Sequence, residues 1–571
     1  MISDNLSCLI SLEPQFKNSR ARRNAGIRTI SGKGYLGTGR DKLVFRKKAF
    51  RGTFLAPVFR MEDIRLIRLK GASLEGLQAF PVQVEVNLKR GIPRFTITGL
   101  AATAIKESAD RIRIAIENSG FDYPLLNVLV HLGPAGKKKE GTYLDLPIAA
   151  GLLTLTGQCN QTDLLKDLLL LGELGLDGSL RPVKGILPIL QQTAKDSCQG
   201  AVVPFENRQE AALQSKFPIY SIRHLRDLEA LLSGKLRPEK KESLKIKEES
   251  FRERIEVYQD QLPGLRAIQI AVAGWHHCLL SGPPGAGKSL LARLAFTLLP
   301  PIRESEALDL LSLRSLRELV FDLEVARPFR SPHHTTSDIA LVGGSRTLNM
   351  GEVTLASHGI LFLDELAEFR SGTLQALREP MEEGLITVSR ISGSITYPCP
   401  FLLIGAMNPC PCGYFQAFDR PCFCRSQKVQ AYQSSVTGPF LDRIEIFLHL
   451  KTGSKPNRER VTIDLELLRA SVARAARMQE VRLFQKTGKL YNGALRGEEI
   501  LETIHLSTKC KELVSRAVQK RGLSIRKALQ LRKLGRTIAD LEESGEVEER
   551  HLEEALVFLN SGWFPENRAA A

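Results

Sequence analysis

Gly282-Pro283-Pro284-Gly285-Ala286-Gly287-Lys288-Ser289 fits the pattern G-x-x-x-x-G-K-[ST]. An apolar run, Cys278-Leu279-Leu280, precedes it, and a helical pattern of Leu290, Leu291, Ala292 and Leu294 follows. Strand, glycine loop and helix together predict a phosphate cradle: glycines let backbone N–H groups converge, and the helix N-terminus adds its positive end. In such a cradle Lys288 reaches the β- and γ-phosphates and Ser289 ligates Mg²⁺. The stretch predicts a nucleoside-triphosphate site built on a parallel α/β sheet, with ATP and Mg²⁺ as the expected ligands.

Composition bounds what surrounds that site. The 571 residues allow three or four domains, and 43% apolar with 25% charged residues is the mix of a globular protein with real cores. No apolar run approaches the ~18 residues of a membrane span, and no membrane partner is expected. The N-terminus lacks the apolar core of a secretory signal. Ten cysteines are present, four of them between positions 410 and 424. That distribution reads as reduced thiols plus a metal site, and places the chain in the cytoplasm.

The net charge of +17 is unevenly placed: residues 1–60 carry 13 Lys/Arg against 3 Asp/Glu, leaving the remainder at +7. Residues 1–60 read as a disordered basic extension, as sequence upstream of a true initiator at Met61, or as a transit peptide. A basic tail would also bind phosphates without sequence preference.

Four further segments follow. Residues 62–233 have an α/β pattern, with alternation at Val82-Gln83-Val84-Glu85-Val86 and Phe95-Thr96-Ile97-Thr98. A helix is predicted over Ile105–Asn118, its apolar face supplied by Ile105, Ile112, Ile114 and Ile116. Val128–Leu132 reads as a strand and Leu146–Leu155 as a buried helix. Residues 234–254 are charged and read as a linker. Residues 255–450 hold the nucleotide domain, and 455–560 a helical domain best patterned at Leu523–Leu541.

Inside 255–450, Gly359-Ile360-Leu361-Phe362-Leu363-Asp364-Glu365 is an apolar strand ending in two acids. Placed 75 residues after the phosphate loop, Asp364 suits the Mg²⁺ shell, and Glu365 suits orienting or deprotonating an attacking water. Phe401–Met407 is a second apolar strand, ending in Asn408, whose amide could touch water and γ-phosphate; on the residues alone an Asn there is usually a turn residue. Arg443, in Gly438-Pro439-Phe440-Leu441-Asp442-Arg443, is either a surface ion-pair residue or an arginine aimed at a neighbour's γ-phosphate. Arg526, opening a helix after Leu523-Ser524-Ile525, is a phosphate contact or a solvated helix residue. Cys410-Pro-Cys412 and Cys422-Phe-Cys424 could close a tetrahedral, structural Zn²⁺ site or remain free thiols. His333-His334, read as part of a strand, would point to opposite faces and not share a metal.

Arg327-Pro328-Phe329-Arg330-Ser331-Pro332-His333-His334-Thr335, Leu363-Asp364-Glu365-Leu366, Leu377-Arg378-Glu379-Pro380-Met381-Glu382 and Ala406-Met407-Asn408-Pro409-Cys410-Pro411-Cys412-Gly413 resemble the magnesium-chelatase-like AAA+ ATPases of the YifB/ComM family. The resemblance covers about 62–560. It implies a Lon-protease-like α+β N-terminal domain, a P-loop AAA+ parallel-sheet core and an all-α C-terminal lid. It implies that Asn408 is sensor 1, Arg443 an arginine finger acting in trans and Arg526 sensor 2, within a homo-hexamer.

The ComM branch is similar to hexameric helicases that drive DNA branch migration in natural transformation, so branched or single-stranded DNA is the implied partner. A chelatase-type or chaperone-like ATPase with a protein or metal-insertion client is the alternative. By the same resemblance, Leu341-Val342-Gly343-Gly344-Ser345-Arg346 and the region of Arg390 would be pore hairpins. Two departures stand out. Val257-Tyr258-Gln259-Asp260-Gln261 has Asp260 where the family has glycine. Tyr143 stands where a Lon-type protease has its serine, and Lys184 is out of register for the base, so no protease activity is expected.

Overall fold

The computed structural model describes residues 65–559, apart from 103–104, 106, 140, 160–161, 194–197, 214–215, 248–253, 345–349, 391–392, 418–419, 437 and 451–458. The basic stretch 1–60, Met61, Ser345 and Arg346 lie outside the described residues, as does the side chain of Arg390.

The N-terminal region is a seven-stranded sheet. Its strand order is Arg94–Thr98, Asn127–Gly133, Gln78–Lys89, Arg65–Glu75, Leu168–Leu170, Gly200–Pro204, Ile219–Ile222. Arg65–Glu75 and Gln78–Lys89 pair antiparallel across a two-residue turn, where Gly76 takes φ 64°, a conformation cheap for glycine alone. Alternation in the second strand does what period-2 patterning dictates: Val82, Val84, Val86 and Leu88 are buried while Pro81, Gln83 and Lys89 face out. The predicted helix is interrupted: Ile105 is helical, the backbone turns at Glu107, and a continuous helix runs over Ser108–Asn118. Ile112 and Ile116 are buried, but Ile114 is exposed, because positions 112 and 116 stack at i, i+4 and 114 falls on the far side. Asp145–Leu155 is almost wholly buried, as a helix apolar all round should be.

The nucleotide domain holds five parallel strands in the order Phe329–Arg330, Ile360–Leu363, Leu402–Met407, Cys278–Ser281, Ile446–His449. The three central strands are buried at every residue. Both faces of a parallel sheet are covered by helices, so its strands are continuous apolar runs. The phosphate-loop strand lies between the Asn408 strand and Ile446–His449, with its loop at the carboxyl end, where ligands bind in such sheets.

The C-terminal region is helical: Leu465–Thr487, Gly497–Thr503, Thr508–Arg521, Ile525–Leu541 and Glu549–Phe558. Asp464 caps the first helix by accepting from the N–H groups of Glu466 and Leu467, and Gly488 at φ 68° ends it. Ser524 caps Ile525–Leu541 through the Lys527 N–H. Val472, Ala475, Leu531, Leu534 and Ile538 share one core with Ile268, Ala271 and Val272 of helix Leu262–Gly274. The helices are therefore anchored on the sheet domain, and the fold class matches the α/β-plus-helical reading.

Two connections differ from the sequence reading. Within the charged stretch 234–254, Glu239 N–H donates to Ile219 O at 2.7 Å and Glu242 N–H to Ala212 O at 3.1 Å. Lys245–Ile246 pairs with Glu324–Val325, so backbone hydrogen bonding, invisible to composition, holds a segment that its charge marks as a free linker. Arg254–Tyr258 pairs antiparallel with Arg460–Asp464, so the region after 455 opens on a strand before its helices begin.

Candidate active site

The phosphate loop turns between Ser281 and the helix Lys288–Leu298, with Gly285 at φ 79° and Gly287 at φ 91°. A Cβ on Gly287 would lie 2.5 Å from Gln261 Nε2, and that amide donates to Ala286 O at 3.5 Å while its Oε1 accepts from Tyr258 N–H at 3.1 Å. Gln261 thus props the loop from behind. It stands at the end of the stretch where Asp260 replaces glycine, and its glutamine was the signal available in the sequence.

Lys288 Nζ donates to Gly282 O at 2.7 Å, Pro283 O at 3.1 Å and Asn408 Oδ1 at 3.0 Å. Burial lowers its ammonium to about 8, against the opposing pull of Asp364. Ser289 Oγ donates to Asp364 Oδ2 at 3.2 Å. A hydroxyl and a carboxylate this close are a hard-oxygen pair that fits Mg²⁺, and the glycine loop with its lysine fits a triphosphate. Glu365 adopts φ 50°, ψ 46°, and its N–H donates to Asp364 Oδ1 at 2.9 Å. Its carboxylate meets His334 Nδ1 at 3.0 Å.

His333 and His334 do not sit in a strand. The paired residues end at Arg330 and the backbone turns at His334, so the two rings lie 4.1 Å apart instead of on opposite faces. The strand reading missed this because strand alternation stops where the backbone turns. The contact of His334 with Glu365 was not legible for another reason: its partner is 31 positions away in sequence.

Arg443 and Arg526 lie elsewhere. Glu445 and Ile446 donate their N–H groups to His277 O, which puts Arg443 at the amino ends of the parallel strands, opposite the phosphate loop. Arg443 donates to Arg378 O at 3.0 Å and pairs with Glu382. Arg526 pairs with the other oxygen of the same carboxylate at 3.3 Å. Both line a cavity of about 400 Å³ with Trp275, His277 and Lys533. Beneath it, Glu445 is buried between Lys533 and His276 Nδ1, the latter at 2.6 Å, and His276 Nε2 meets Thr537 Oγ1 at 2.7 Å. Burial alone would raise Glu445; Lys533 and His276 hold it far below the usual range. This network fixes the helical region to the amino end of the sheet. Four strand residues span roughly 10 Å, so both arginines stand at the far end of the sheet from the Lys288 cluster of their own chain.

Cys410, Cys412, Cys422 and Cys424 come together with all four Sγ atoms within 4.8 Å of one another. Burial pushes the Cys410 thiol up to about 12. At Cys412 the Tyr414 N–H and the neighbouring thiols outweigh burial and bring it to about 6. In the N-terminal sheet region Lys184 is exposed, while Lys139 is fully buried with Nζ bonded to Gly99 O at 2.9 Å and to Pro134 O.

Three family descriptions match: "Magnesium chelatase, subunit ChlI" over residues 256–458, "Subunit ChlI of Mg-chelatase" over 84–207 and "Magnesium chelatase, subunit ChlI C-terminal" over 465–558. The chain is 37% identical to the Escherichia coli protein YifB over 485 residues, spanning 85% of this chain and 95% of YifB. It is also 37% identical to the Haemophilus influenzae competence protein ComM over 492 residues, spanning 84% and 95%. The chain belongs to the magnesium-chelatase-like YifB/ComM family. A Mycobacterium tuberculosis protein, Rv2897c, is 36% identical over 384 residues, 66% of this chain and 76% of that one. Membership of this AAA+ family implies ATPase activity. Among the described residues, no helix is long and apolar enough to cross a membrane.

Proposed function

We propose that the chain is an ATP-hydrolysing ring motor that acts on branched or single-stranded DNA in the cytoplasm, as a homo-hexamer. The observation that carries this reading is the division of charged groups between the two ends of one sheet. Lys288, Ser289, Asp364, Glu365 and Asn408 stand at the carboxyl ends; Arg443 and Arg526 share Glu382 at the amino ends. A triphosphate on Gly282–Ser289 has one face of the site from its own chain, and a second copy supplies the arginines.

In this reading the loop N–H groups and Lys288 bind the phosphates. Mg²⁺ between Ser289 and Asp364 would neutralise charge on the phosphate oxygens. Glu365 takes the proton of the attacking water, and Asn408 orients that water. Arg443 and Arg526 of the adjacent copy stabilise charge on the transferred phosphoryl group.

DNA as the load is supported by the +7 body charge and by the relative named as a competence protein. The hairpin Leu385–Arg390/Gly393–Pro398 is the candidate for a pore-facing contact. The N-terminal region acts without protease chemistry, with Tyr143 in the serine's place and Lys184 exposed. The four cysteines hold a structural Zn²⁺.

The test is ATP turnover with and without forked or four-way DNA. Several-fold stimulation and a mobility shift on the junction are expected. Turnover with neither effect removes DNA as the load and favours a chelatase-type or chaperone-like client.

A further inference from the structure

We infer that the four-cysteine cluster is a zinc clasp that sets the nucleotide site, so that ATP turnover depends on zinc occupancy. The pairs Cys410–Cys412, Cys412–Cys422 and Cys410–Cys422 have sulfurs 3.3, 3.5 and 3.7 Å apart. A disulfide needs about 2.05 Å, whereas the edge of a tetrahedron with metal–sulfur bonds of about 2.3 Å is roughly 3.8 Å. Cys410 Sγ also accepts the Phe415 N–H at 3.3 Å, and Gly413 N–H closes a turn on Cys410 O at 2.9 Å. N–H donors to a ligating sulfur orient it and stabilise the thiolate. Four sulfurs leave no open position, so the metal's role is structural.

The clasp reaches the phosphate loop by two short routes. Along the chain, Cys410 is two residues from Asn408, whose Oδ1 accepts from Lys288. The intervening Pro409 O accepts from Gln433 Nε2 at 2.9 Å, which holds the link in place. Through space, Gly413 sits at φ 87°, and a Cβ there would come within 2.6 Å of Pro284 Cδ. The clasp backbone therefore lies directly against the lip of the loop. Side-chain packing does not anchor the second cysteine pair: Phe423 between them is 85% exposed. Beside the hydrogen bond from Arg420 to Tyr414 Oη at 3.1 Å, metal–sulfur bonds would hold the two cysteine pairs together.

The effect on turnover rests on the ATPase reading; the metal site does not. The test uses the full chain purified without chelator, with zinc and iron quantified by elemental analysis. One zinc per chain is expected, and an iron chromophore or no metal overturns the site. The double variant Cys422→Ser/Cys424→Ser should lose the zinc and slow ATP turnover by about tenfold or more, with unchanged circular dichroism.

Gly413→Ala covers the case in which that variant does not fold. It keeps all four sulfurs and the zinc, but its Cβ drives the clasp off Pro284, and turnover should again fall about tenfold. Full turnover in the zinc-free variant or in Gly413→Ala overturns the coupling. A wild-type chain that holds zinc but never hydrolyses ATP would sink the motor reading alone. The coupling would then be read from ATP affinity, expected to weaken about tenfold in both variants.

Discussion

Glu365 holds a left-handed backbone conformation, φ 50°, that costs a residue with a Cβ roughly 1–2 kcal/mol. The Asp364 carboxylate accepting its N–H and the His334 ring at its carboxylate hold it there. Glu365→Gln keeps the shape and removes the carboxylate proposed as the base. ATP should still bind, measured with a fluorescent analogue, while turnover falls by about 10²–10⁴; full turnover would place the base elsewhere. Glu210 carries a second prediction. Burial raises its carboxyl to about 7, against hydrogen bonds from Ser315 and Asn207. Because the folded chain keeps this proton where the unfolded chain has lost it, stability should fall as pH rises from about 4.5 to 7. Glu210→Gln should flatten that slope in urea melts; an unchanged slope would assign it to other groups. Lys288, Ser289 and Asp364 were legible because spacing and chemistry mark them together, whereas Asn408 stood out only through the family resemblance. Glu382 was not, since a glutamate reads as solvated until two arginines from distant segments are seen on it.

At the scale of elements, the two-residue strand Phe329–Arg330 is held by what precedes it. Buried Arg327 donates to Pro300 O, Pro301 O, His358 O and Glu306 Oε2. Burial would raise Glu306, but His358 and Arg327 bring it down to about 2. The sign follows from linkage: a carboxyl lowered by folding stabilises above its unfolded value of about 4.5, and that contribution is lost as pH falls toward 2. Arg327→Ala should cost about 3–5 kcal/mol in chemical denaturation, because it strands a buried carboxylate. A loss under 1 kcal/mol would mean that His358 suffices. The central strands were readable from their apolar runs. The hold on residues 234–247 was not, because backbone hydrogen bonds leave no mark on side-chain composition.

For the whole molecule, the two ends of the sheet keep the proposed halves of the catalytic site apart, so they can be tested separately. Lys288→Ala and Arg443→Ala should each abolish turnover alone. Co-expressed in equal amounts, they should recover activity, because roughly a quarter of the interfaces in a ring closed by head-to-tail contacts pair an intact lysine with an intact arginine. No recovery in purified mixed assemblies would mean that each site is completed within one chain. The mixed α/β fold with a parallel sheet and a helical C-terminal region was legible through its motifs and patterning; which end of the sheet each arginine occupies was not, because that depends on how the chain crosses over between strands.

The antiparallel ladder Arg254–Tyr258 with Arg460–Asp464 pairs Arg254 with Asp464 and Tyr258 with Arg460. The segment it brackets leaves and returns at one spot, like a bead threaded on a closed clasp. The ladder sets the separation of Tyr258 and Arg460 at the base of this segment, whatever length of chain runs between them. It thereby brings the start of helix Leu465–Thr487 to the start of helix Leu262–Gly274, the helix whose core it shares, so the two ends of the motor segment meet on one surface.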